Sequence, residues 1–445
     1  MQDQQTEPQP EPGARHLAEM VNAPSGPVGG TPLIDALPSH VSAWAPLRVP
    51  LFRSLWIAAI ISYIGTWMQA VGAGWMMTTL TMSPLMVGLV QAAVALPVFL
   101  VILPAGALAD MVDRRRFLLA TQAWMVLAAG ALGVLTLLHV VTPWILLAFT
   151  FLLGLGAVMN DPAWQAITPE LVPAEQHAAA VALNSAGFNV ARAVGPALGG
   201  MAIAKAGSGS AFLLNALSFL GVILVLYGWK RALPEERPRQ GVWESICTGV
   251  HYVRSSEVVR AVLVRTGAFS VAAIAILALL PILAAPYGAT GYGALLGCFG
   301  IGALIGATVL PRLRRNLSVD WLVAVAILIF AAMTFLAGRV NDFTQMALVM
   351  AVAGGAWIGI LACLNTAAQL MSPSWVRARA LSVYLLVLQG GMAIGSTLWG
   401  ALANRIGLRD TMLCSAAALV LGLGTIRRHR LSRRHLAMAP SVVRD

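Results

Sequence analysis

Long apolar segments separated by short polar stretches dominate this sequence of 445 residues. A transmembrane helix needs about 20 predominantly apolar residues, and most of the segments approach or exceed that length. Because unpaired backbone groups are costly in lipid, such segments cross a membrane as helices. The sequence therefore predicts an all-α membrane protein with twelve spans. These spans are Leu55–Thr78, Leu85–Ala107, Phe117–Leu138, Trp144–Ala166, Ala178–Ala204, Phe212–Trp229, Val258–Ala285, Tyr292–Leu310, Trp321–Ala337, Met346–Leu370, Ala380–Ala403 and Thr411–Thr425.

Composition excludes the main soluble classes of protein. Apolar residues make up 58% of the chain and charged residues 11%, whereas soluble domains average about 45–50% and about 25%. So little charge cannot cover the surface of a soluble protein of this size, and so much apolar material excludes a disordered chain. The cysteines show no paired spacing, so neither a disulfide framework nor a metal site is predicted. They are Cys247, Cys298, Cys363 and Cys414.

Basic residues predict the orientation of the spans. The chain carries 29 Lys and Arg against 18 Asp and Glu. If the N-terminus lies inside, most of the basic residues fall in inside segments, and the outside loops carry only Lys205, Arg339, Arg405 and Arg409. Because cytoplasmic loops carry the excess of Lys and Arg, we predict a multi-pass protein of the bacterial inner membrane with both termini in the cytoplasm. This placement accounts for the positive charge, so nucleic-acid binding is not expected.

Three stretches lie outside the apolar segments. Residues 1–47, rich in Gln, Glu, Pro and Gly, have the composition of a disordered cytoplasmic tail, and residues 427–445 form a basic cytoplasmic tail. A polar linker at 230–257 separates an N-terminal half, 48–229, from a C-terminal half, 258–426. Apolar residues in the second part of the linker have helical spacing. They fit either an amphipathic helix on the membrane surface or an ordinary short linker helix.

The two halves resemble each other in sequence. Placing span 5 on span 11 with an offset of 200 residues aligns small residues and a basic end without a gap. Chance identity between Ala- and Gly-rich helices is high, so the shared glycine spacing and the basic end carry the comparison. We predict two pseudo-symmetric six-helix halves with a substrate path between them. The aligned pairs include Gly195 with Gly395, Gly200 with Gly400, and Lys205 with Arg405.

The loop between spans 2 and 3 resembles the loop signature of the major facilitator superfamily. This resemblance implies the major facilitator fold and a conformational latch that joins the two halves on the cytoplasmic side. Asp113 and Met111 depart from the glycine and the basic residue of the family pattern. The residues that carry the signature are Gly106, Asp110, Arg114, Arg115 and Arg116.

A second motif, in span 5, resembles that of the exporting branches of the superfamily. It implies export, and a close, bendable contact with span 8. Ala191 stands where the short form of the motif has its first glycine. The stretch Asn160–Pro173 is similar to the exporter subgroup of transmembrane secretion effectors, which includes the enterobactin exporter. The motif residues are Gly187, Gly195, Pro196, Gly199 and Gly200.

Two charged residues fall in the interior of the spans, away from their ends, where a charge is costly and marks a functional candidate. Arg192, midway along span 5, could bind an anionic substrate, pair with a carboxylate, or clamp helix carbonyls. Asp161, next to Pro162 in span 4, could carry the coupling proton of an antiporter or cap the helix segment after the kink. Arg265, near the cytoplasmic start of span 7, is interpreted as an anchor.

Polar and aromatic side chains recur on spans that line the cavity in the family and on spans 5 and 11. An amide in lipid costs free energy unless it is paired, so these side chains are expected to face inward. Each can serve either as a contact between helices or as part of a cavity wall. The candidates are Gln69, Asn160, Trp164, Asn184, Asn189, Asn365, Gln369, Tyr384 and Gln389.

The predicted function is secondary active export of a small molecule, such as a siderophore, drug or metabolite. Alternating access and proton antiport are the predicted mechanism. The sequence has no phosphate-cradling G-x-x-x-x-G-K-[ST] motif, and no enzyme activity, cofactor or metal is expected. The predicted partners are the lipid bilayer, the substrate and protons, and the chain is expected to be a monomer. An uptake carrier and a membrane sensor or receptor without transport remain the alternatives.

Overall fold

A computed structural model describes residues 42–229, 256–370, 372 and 377–425. Within the helices, the side chains of residues 102–111, 258, 316 and 378 are not described. Nearly all of the predicted N-terminal tail, linker and C-terminal tail therefore lies outside the described residues.

Every regular element in these ranges is a helix. The first four helices are α1 (Pro50–Leu80), α2 (Pro84–Met111), α3 (Arg114–Leu137) and α4 (Pro143–Ile167). A helical run, His177–Gly228, is interrupted at Gly207, whose φ of 74° is not helical; it therefore forms α5 (177–206) and α6 (208–228). The remaining long helices are α7 (Glu257–Ala273), α8 (Gly288–Asn316), α9 (Val319–Ala337), α10 (Phe343–Leu370), α11 (Arg377–Ile406) and α12 (Leu408–Gly422).

Side-chain caps explain why several helices begin where they do. Asp113 accepts a hydrogen bond from the Arg116 backbone N–H at 2.8 Å and begins α3. Ser318 accepts one from the Trp321 backbone N–H at 3.3 Å and begins α9. Each cap satisfies a backbone donor that the first turn of a helix leaves free. Two short helices, Ala275–Ala278 and Leu280–Leu283, follow α7 and lead towards the turn before α8.

Among the described residues, ten helical runs are long and apolar enough to cross a membrane. The predicted spans 5 and 6 form one of these runs, Ala174–Gly228, because the bend at Gly207 does not end the helical hydrogen bonding. The predicted span 12 is not among the ten, since α12 has only 15 residues. Helices also extend past the predicted boundaries, as α2 does to Met111, because backbone hydrogen bonding continues beyond the apolar residues.

Short turns join most consecutive helices, so the helix ends alternate between two ends of the bundle. Three glycines with positive φ, Gly207, Gly288 and Gly407, lie in turns at one end, which we call the glycine end. Only glycine adopts this backbone conformation without strain. The opposite end carries Arg114 at the start of α3 and Arg314 near the end of α8, and we call it the arginine end.

Close backbone contacts join α5 to α8 and α2 to α11 near the glycine end. A Cβ added to Gly293 would lie 2.9 Å from the Cα of Gly200, and one added to Gly88 would lie 3.3 Å from the Cα of Gly400. Small residues permit this approach of helix backbones in membranes. Apolar side chains of α7–α10, including Phe330 and Trp357, form much of a buried cluster.

Candidate functional site

Arg192 on α5 lies beside α8 rather than beside a carboxylate. Its guanidinium carbon is 6.0 Å from the centre of the Phe299 ring, at the limit of a cation–π contact. The residue lies deep in the bundle and yet remains partly exposed. Among the described side chains, no carboxylate forms an ion pair with it. The cation is therefore available to an incoming group.

Aromatic rings extend on both sides of Arg192. Phe188, one helical turn earlier on α5, meets Tyr63 at 5.4 Å and Trp67 at 6.3 Å between ring centres, both on α1. On the other side, Phe299 of α8 lies 6.1 Å from Trp357 of α10. The ring contacts link α5 to α1 through Phe188, and α8 to α10 through Phe299. Such a wall can contact an aromatic or apolar molecule while Arg192 contacts an anionic or polar group.

Asp161 lies deep in the bundle, six residues before the end of α4, and is exposed. Its exposed surface leaves the carboxylate accessible. It interacts electrostatically with Tyr63 of α1, and no ion pair joins it to Arg192. Trp164 follows on the next turn; the residue is buried and its Nε1 has no hydrogen-bond partner in the described structure. In the described structure, Asp161 therefore forms no ion pair and the Trp164 indole N–H has no acceptor.

Several predicted cavity amides instead pair with neighbouring helices. Asn215 of α6 donates to the side-chain oxygen of Gln69 on α1, and both residues are buried. Asn160 of α4 accepts hydrogen bonds from Gln122, at 3.1 Å, and Thr121, at 3.2 Å, both on α3. Gln69 and Asn160 thus hold helices together, which is the first of their two predicted roles.

The other predicted polar residues are bound locally or only partly buried. Asn184 donates to Thr168 at 3.1 Å, and Asn189 donates to a carbonyl one turn earlier in α5. Gln369 donates to Asn365 at 2.5 Å near the arginine end of α10. Tyr384 is buried and its hydroxyl is 3.5 Å from a carbonyl of α10, and Gln389 is partly buried. None of these six residues is placed at the Arg192–Phe299 contact by a described interaction.

The glycines of the predicted exporter motif face two different helices. A Cβ on Gly187 or Gly195 would meet side chains of α1, at 2.8 Å and 2.6 Å, and one on Gly199 would meet the α1 backbone at 2.7 Å. Gly200 alone of the four faces α8, where a Cβ would lie 2.6 Å from the Ala289 carbonyl oxygen. Pro196 is buried within the helix. The motif thus joins α5 to α1 as well as to α8.

Arg114, at the start of α3, and Arg314, near the end of α8, each bind the end of another helix. Arg114 donates to the Ala166 carbonyl at 3.2 Å, near the end of α4, and pairs with Glu170 at 2.9 Å. Arg314 donates to the Thr366 hydroxyl at 3.3 Å, near the end of α10. Each of the two contacts joins residues 52 apart in sequence. A cation near a helix C-terminus is favourable because the carbonyl groups there carry partial negative charge.

The remaining residues of the predicted latch loop lie at the same end. Arg115 donates to the Leu226 carbonyl at 2.7 Å and the Tyr227 carbonyl at 2.8 Å, at the end of α6. Arg116 is exposed. The described contacts of Arg114 and Arg115 therefore bind helices α4 and α6. The other two predicted latch residues lie in α2 where side chains are not described: Gly106 and Asp110.

The structure contains a buried ion pair, Arg265–Asp320, that the sequence did not predict. Arg265 of α7, interpreted as an anchor, is 3% exposed and donates to Asp320 in the first turn of α9 at 2.6 Å. The Nε and Nη2 atoms of the arginine have no partner in the described structure. A cavity of about 10 Å³ lies beside it, which is about the size of one water molecule. Only the charge of Arg265 within an apolar span could have signalled this site.

Comparison with known proteins gives consistent matches. Residues 41–443 match the family described as transmembrane secretion effector. The chain is 26% identical to the enterobactin exporter EntS of Escherichia coli over 84% of this chain and 89% of that one. It is 25% identical to the multidrug efflux pump Tap of Mycolicibacterium fortuitum, over 88% and 99%. It is 24% identical to the staphyloferrin A transporter of Staphylococcus aureus, over 58% and 66%.

Solved structures share the fold. A bacterial homolog of the human lysosomal transporter Spinster, in an inward-facing and occupied conformation, superposes with a TM-score of 0.68 at 17% identity, covering 88% of this chain and 98% of that one. The nucleoside transporter NupG gives a TM-score of 0.68 at 13% identity, covering 86% and 100%. At these identities the likeness concerns the fold alone.

Proposed function

Because this chain belongs to the transmembrane secretion effector family of major facilitator transporters, we propose that it exports a small molecule by alternating access. The chain is a multi-pass transporter of the inner membrane and not an enzyme. The observation that carries the proposal is Arg192, a deep cation on α5 with no carboxylate partner among the described residues, placed against Phe299 of α8. An unpaired charge inside a membrane bundle is energetically costly, and such a residue is a functional candidate by default.

The proposed architecture is twelve spans in two six-helix halves. Two sets of contacts occur twice, and the second copy of each involves residues about 200 positions away in sequence from those of the first. This repetition supports the division into halves. Gly200 meets Gly293 as Gly400 meets Gly88, and Gly200 and Gly400 are 200 residues apart. The arginine contacts near the ends of α4 and α10 show the same offset. In this proposal α5 and α6 cross separately, and α12 completes the second half.

The arginine end is proposed to face the cytoplasm, with both termini there. Positive residues at cytoplasmic helix ends are the rule in membrane proteins, and Arg114, Arg115 and Arg314 lie at this end. Close glycine contacts join helices near the opposite end, while Asp161, six residues from the arginine end of α4, remains accessible. This combination supports a state that opens to the cytoplasm.

Substrate and proton are assigned to different residues in the proposal. Arg192 and the aromatic rings on both sides of it hold the exported molecule, and Asp161 takes up and releases the coupling proton. Arg192 and Asp161 form no ion pair with each other in the described structure. Arg192 can therefore bind substrate, and Asp161 can gain or lose a proton, without breaking a contact between them. The names of the relatives suggest siderophores and drugs as candidate substrates.

Everted membrane vesicles test export directly. Vesicles containing the protein, energised to be acidic inside, should accumulate one of a panel made of enterobactin, staphyloferrin A and amphipathic drugs. An uncoupler should abolish the accumulation, and vesicles without the protein provide the control. Accumulation that persists with the uncoupler contradicts proton antiport. Accumulation only in right-side-out vesicles indicates an uptake carrier instead.

Replacement of Asp161 by asparagine should separate proton coupling from substrate movement. We expect Asp161→Asn to lose gradient-driven accumulation by about 100-fold or more, the lower end of the range typical of a lost proton-transfer group. Counterflow exchange of substrate without a gradient should continue, because the substrate site is intact. Both fluxes are measured in proteoliposomes with the transported compound.

The matched control is Asp113→Asn, which changes a carboxyl group in the loop before α3. It should leave the ratio of gradient-driven flux to exchange unchanged. An Asp161→Asn protein that keeps full gradient-driven accumulation removes this residue from the coupling mechanism.

A further inference from the structure

A contact between α1 and α8 crosses the bundle near the glycine end. Tyr292 of α8 is 5% exposed and stacks on Trp75 of α1, with ring centres 6.4 Å apart and planes 26° apart. A Cβ added to the neighbouring Gly74 would lie 2.6 Å from the Tyr292 hydroxyl oxygen. The hydroxyl therefore occupies space that only glycine leaves at this position. Pro281, between α7 and α8, borders the same space, at 3.3 Å from that Cβ.

An empty space lies next to the same tryptophan. Trp75 lines a cavity of about 390 Å³ formed by the glycine ends of α1, α3 and α5 and by the turns that follow α3 and α5. This volume lies within the range of small-ligand pockets, so it can accommodate an indole ring. Trp75 thus contacts the buried Tyr292 ring of α8 and also borders unfilled space between α1, α3 and α5. A side chain that borders unfilled space has room for a second staggered rotamer.

We propose that the Tyr292–Trp75 stack, seated on Gly74, is the barrier that closes the glycine end, and that Trp75 turns towards the adjacent cavity when the barrier opens. This inference rests on the proposed alternating access. Packed interfaces switch between discrete arrangements rather than deforming continuously. Here the closed arrangement depends on one hydroxyl fitting over one glycine. The stack joins α1 to α8, so separation of these two helices at the glycine end would break it.

A compensating pair of substitutions tests the barrier. Gly74→Ala adds the methyl group that meets the tyrosine hydroxyl, and should shift the protein towards a state open at the glycine end. Tyr292→Phe removes that hydroxyl, leaving the ring carbon Cζ 3.3 Å from the added Cβ. The double variant should therefore return to the closed state, and Tyr292→Phe alone should stay closed.

Spin-label distances report the two states without substrate or gradient. Labels on cysteines introduced at Val140, in the turn before α4, and Asn341, in the turn before α10, lie on exposed residues at the glycine end. The native cysteines are replaced by serine, and the protein is measured in lipid nanodiscs. Gly74→Ala should produce a longer distance population that the added Tyr292→Phe removes.

The matched control is Gly72→Ala, two residues earlier on α1. Its Cβ would lie 2.8 Å from the Phe212 ring of α6 and so crowds α1 against α6 instead of α8. This variant should not lengthen the distance in a way that Tyr292→Phe reverses. If Gly74→Ala does not accumulate, Tyr292→Ala provides the second test, because it removes the ring and should also lengthen the distance.

Three results overturn the proposal: an unchanged distance in both Gly74→Ala and Tyr292→Ala, a lengthening that Tyr292→Phe does not reverse, or the same reversible lengthening in Gly72→Ala. Because these distances need no substrate, their outcome is independent of export. A barrier that behaves as expected in a protein that fails every transport assay leaves the barrier standing and rejects the export proposal.

Discussion

Replacing Arg192 with alanine should abolish export. The guanidinium is the charged group placed between α5 and α8 without a described carboxylate partner, and a hydrogen bond to a charged group contributes about 1.5–3 kcal/mol. Loss of about 2.7 kcal/mol corresponds to about a 100-fold weaker binding of the exported molecule. Binding to purified protein and flux in proteoliposomes both measure this change.

Arg192→Lys should retain part of the activity. Lysine keeps the positive charge but loses the planar guanidinium, which lies over Phe299 and can bind two acceptor atoms at once. We therefore expect binding between that of the wild type and Arg192→Ala. Arg312→Ala, which removes an exposed arginine of α8 near the arginine end, is the control and should transport normally. Normal flux in Arg192→Ala would assign this residue to packing between helices rather than to substrate binding.

The long helices could be predicted because lipid imposes one rule on all of them. Every backbone polar group in the hydrocarbon must be paired within its segment, so apolar length alone predicts where a helix lies. The ends follow a different rule, since helices continue as long as backbone bonds can form. The junction at Gly207 shows the limit: one non-helical residue bends a run of 52 residues. Apolar length describes the run but not the bend.

The role of the polar side chains could not be predicted in the same way. Gln69 and Asn160 follow the rule that an amide in a span faces inward. The sequence does not show whether a hydrogen-bond partner on another helix lies beside them. The partner of Gln69, Asn215, is 146 residues away, and that of Asn160, Gln122, is 38 residues away. Arg192 and Asp161 stood out because charge in a span is rare, and their separation into different surroundings became visible only in three dimensions.

Arg265 illustrates the same limit with a larger energetic consequence. It was interpreted as an anchor because it lies near the start of a span. Its partner Asp320 lies 55 residues later, in the first turn of α9, where an acidic residue has an ordinary role beside the positive helix end. Neither residue predicts the other from sequence, and yet the side chain of Arg265 is 2% exposed and depends on that carboxylate.

Asp320→Ala should therefore destabilise the protein strongly. Breaking a buried ion pair by removing one partner costs about 3–5 kcal/mol, because the remaining charge stays buried. Asp320 keeps 23% side-chain exposure, so a cost of about 3 kcal/mol is expected from this range. The apparent melting temperature of the purified protein in detergent should fall by several degrees. Replacing both partners, as Arg265→Met with Asp320→Leu, should recover most of the loss because no uncompensated charge remains.

The control compares a pair of the same chemistry in solvent. Arg260 and Glu257 are 3.8 Å apart with 54% and 87% side-chain exposure, and an exposed pair contributes about 0–1 kcal/mol. Glu257→Ala should therefore leave the melting temperature nearly unchanged. An equal fall in melting temperature in Glu257→Ala and Asp320→Ala would mean that burial does not determine how much the Arg265–Asp320 ion pair stabilises the protein. A double variant no better than Asp320→Ala would mean that the carboxylate acts through contacts other than Arg265.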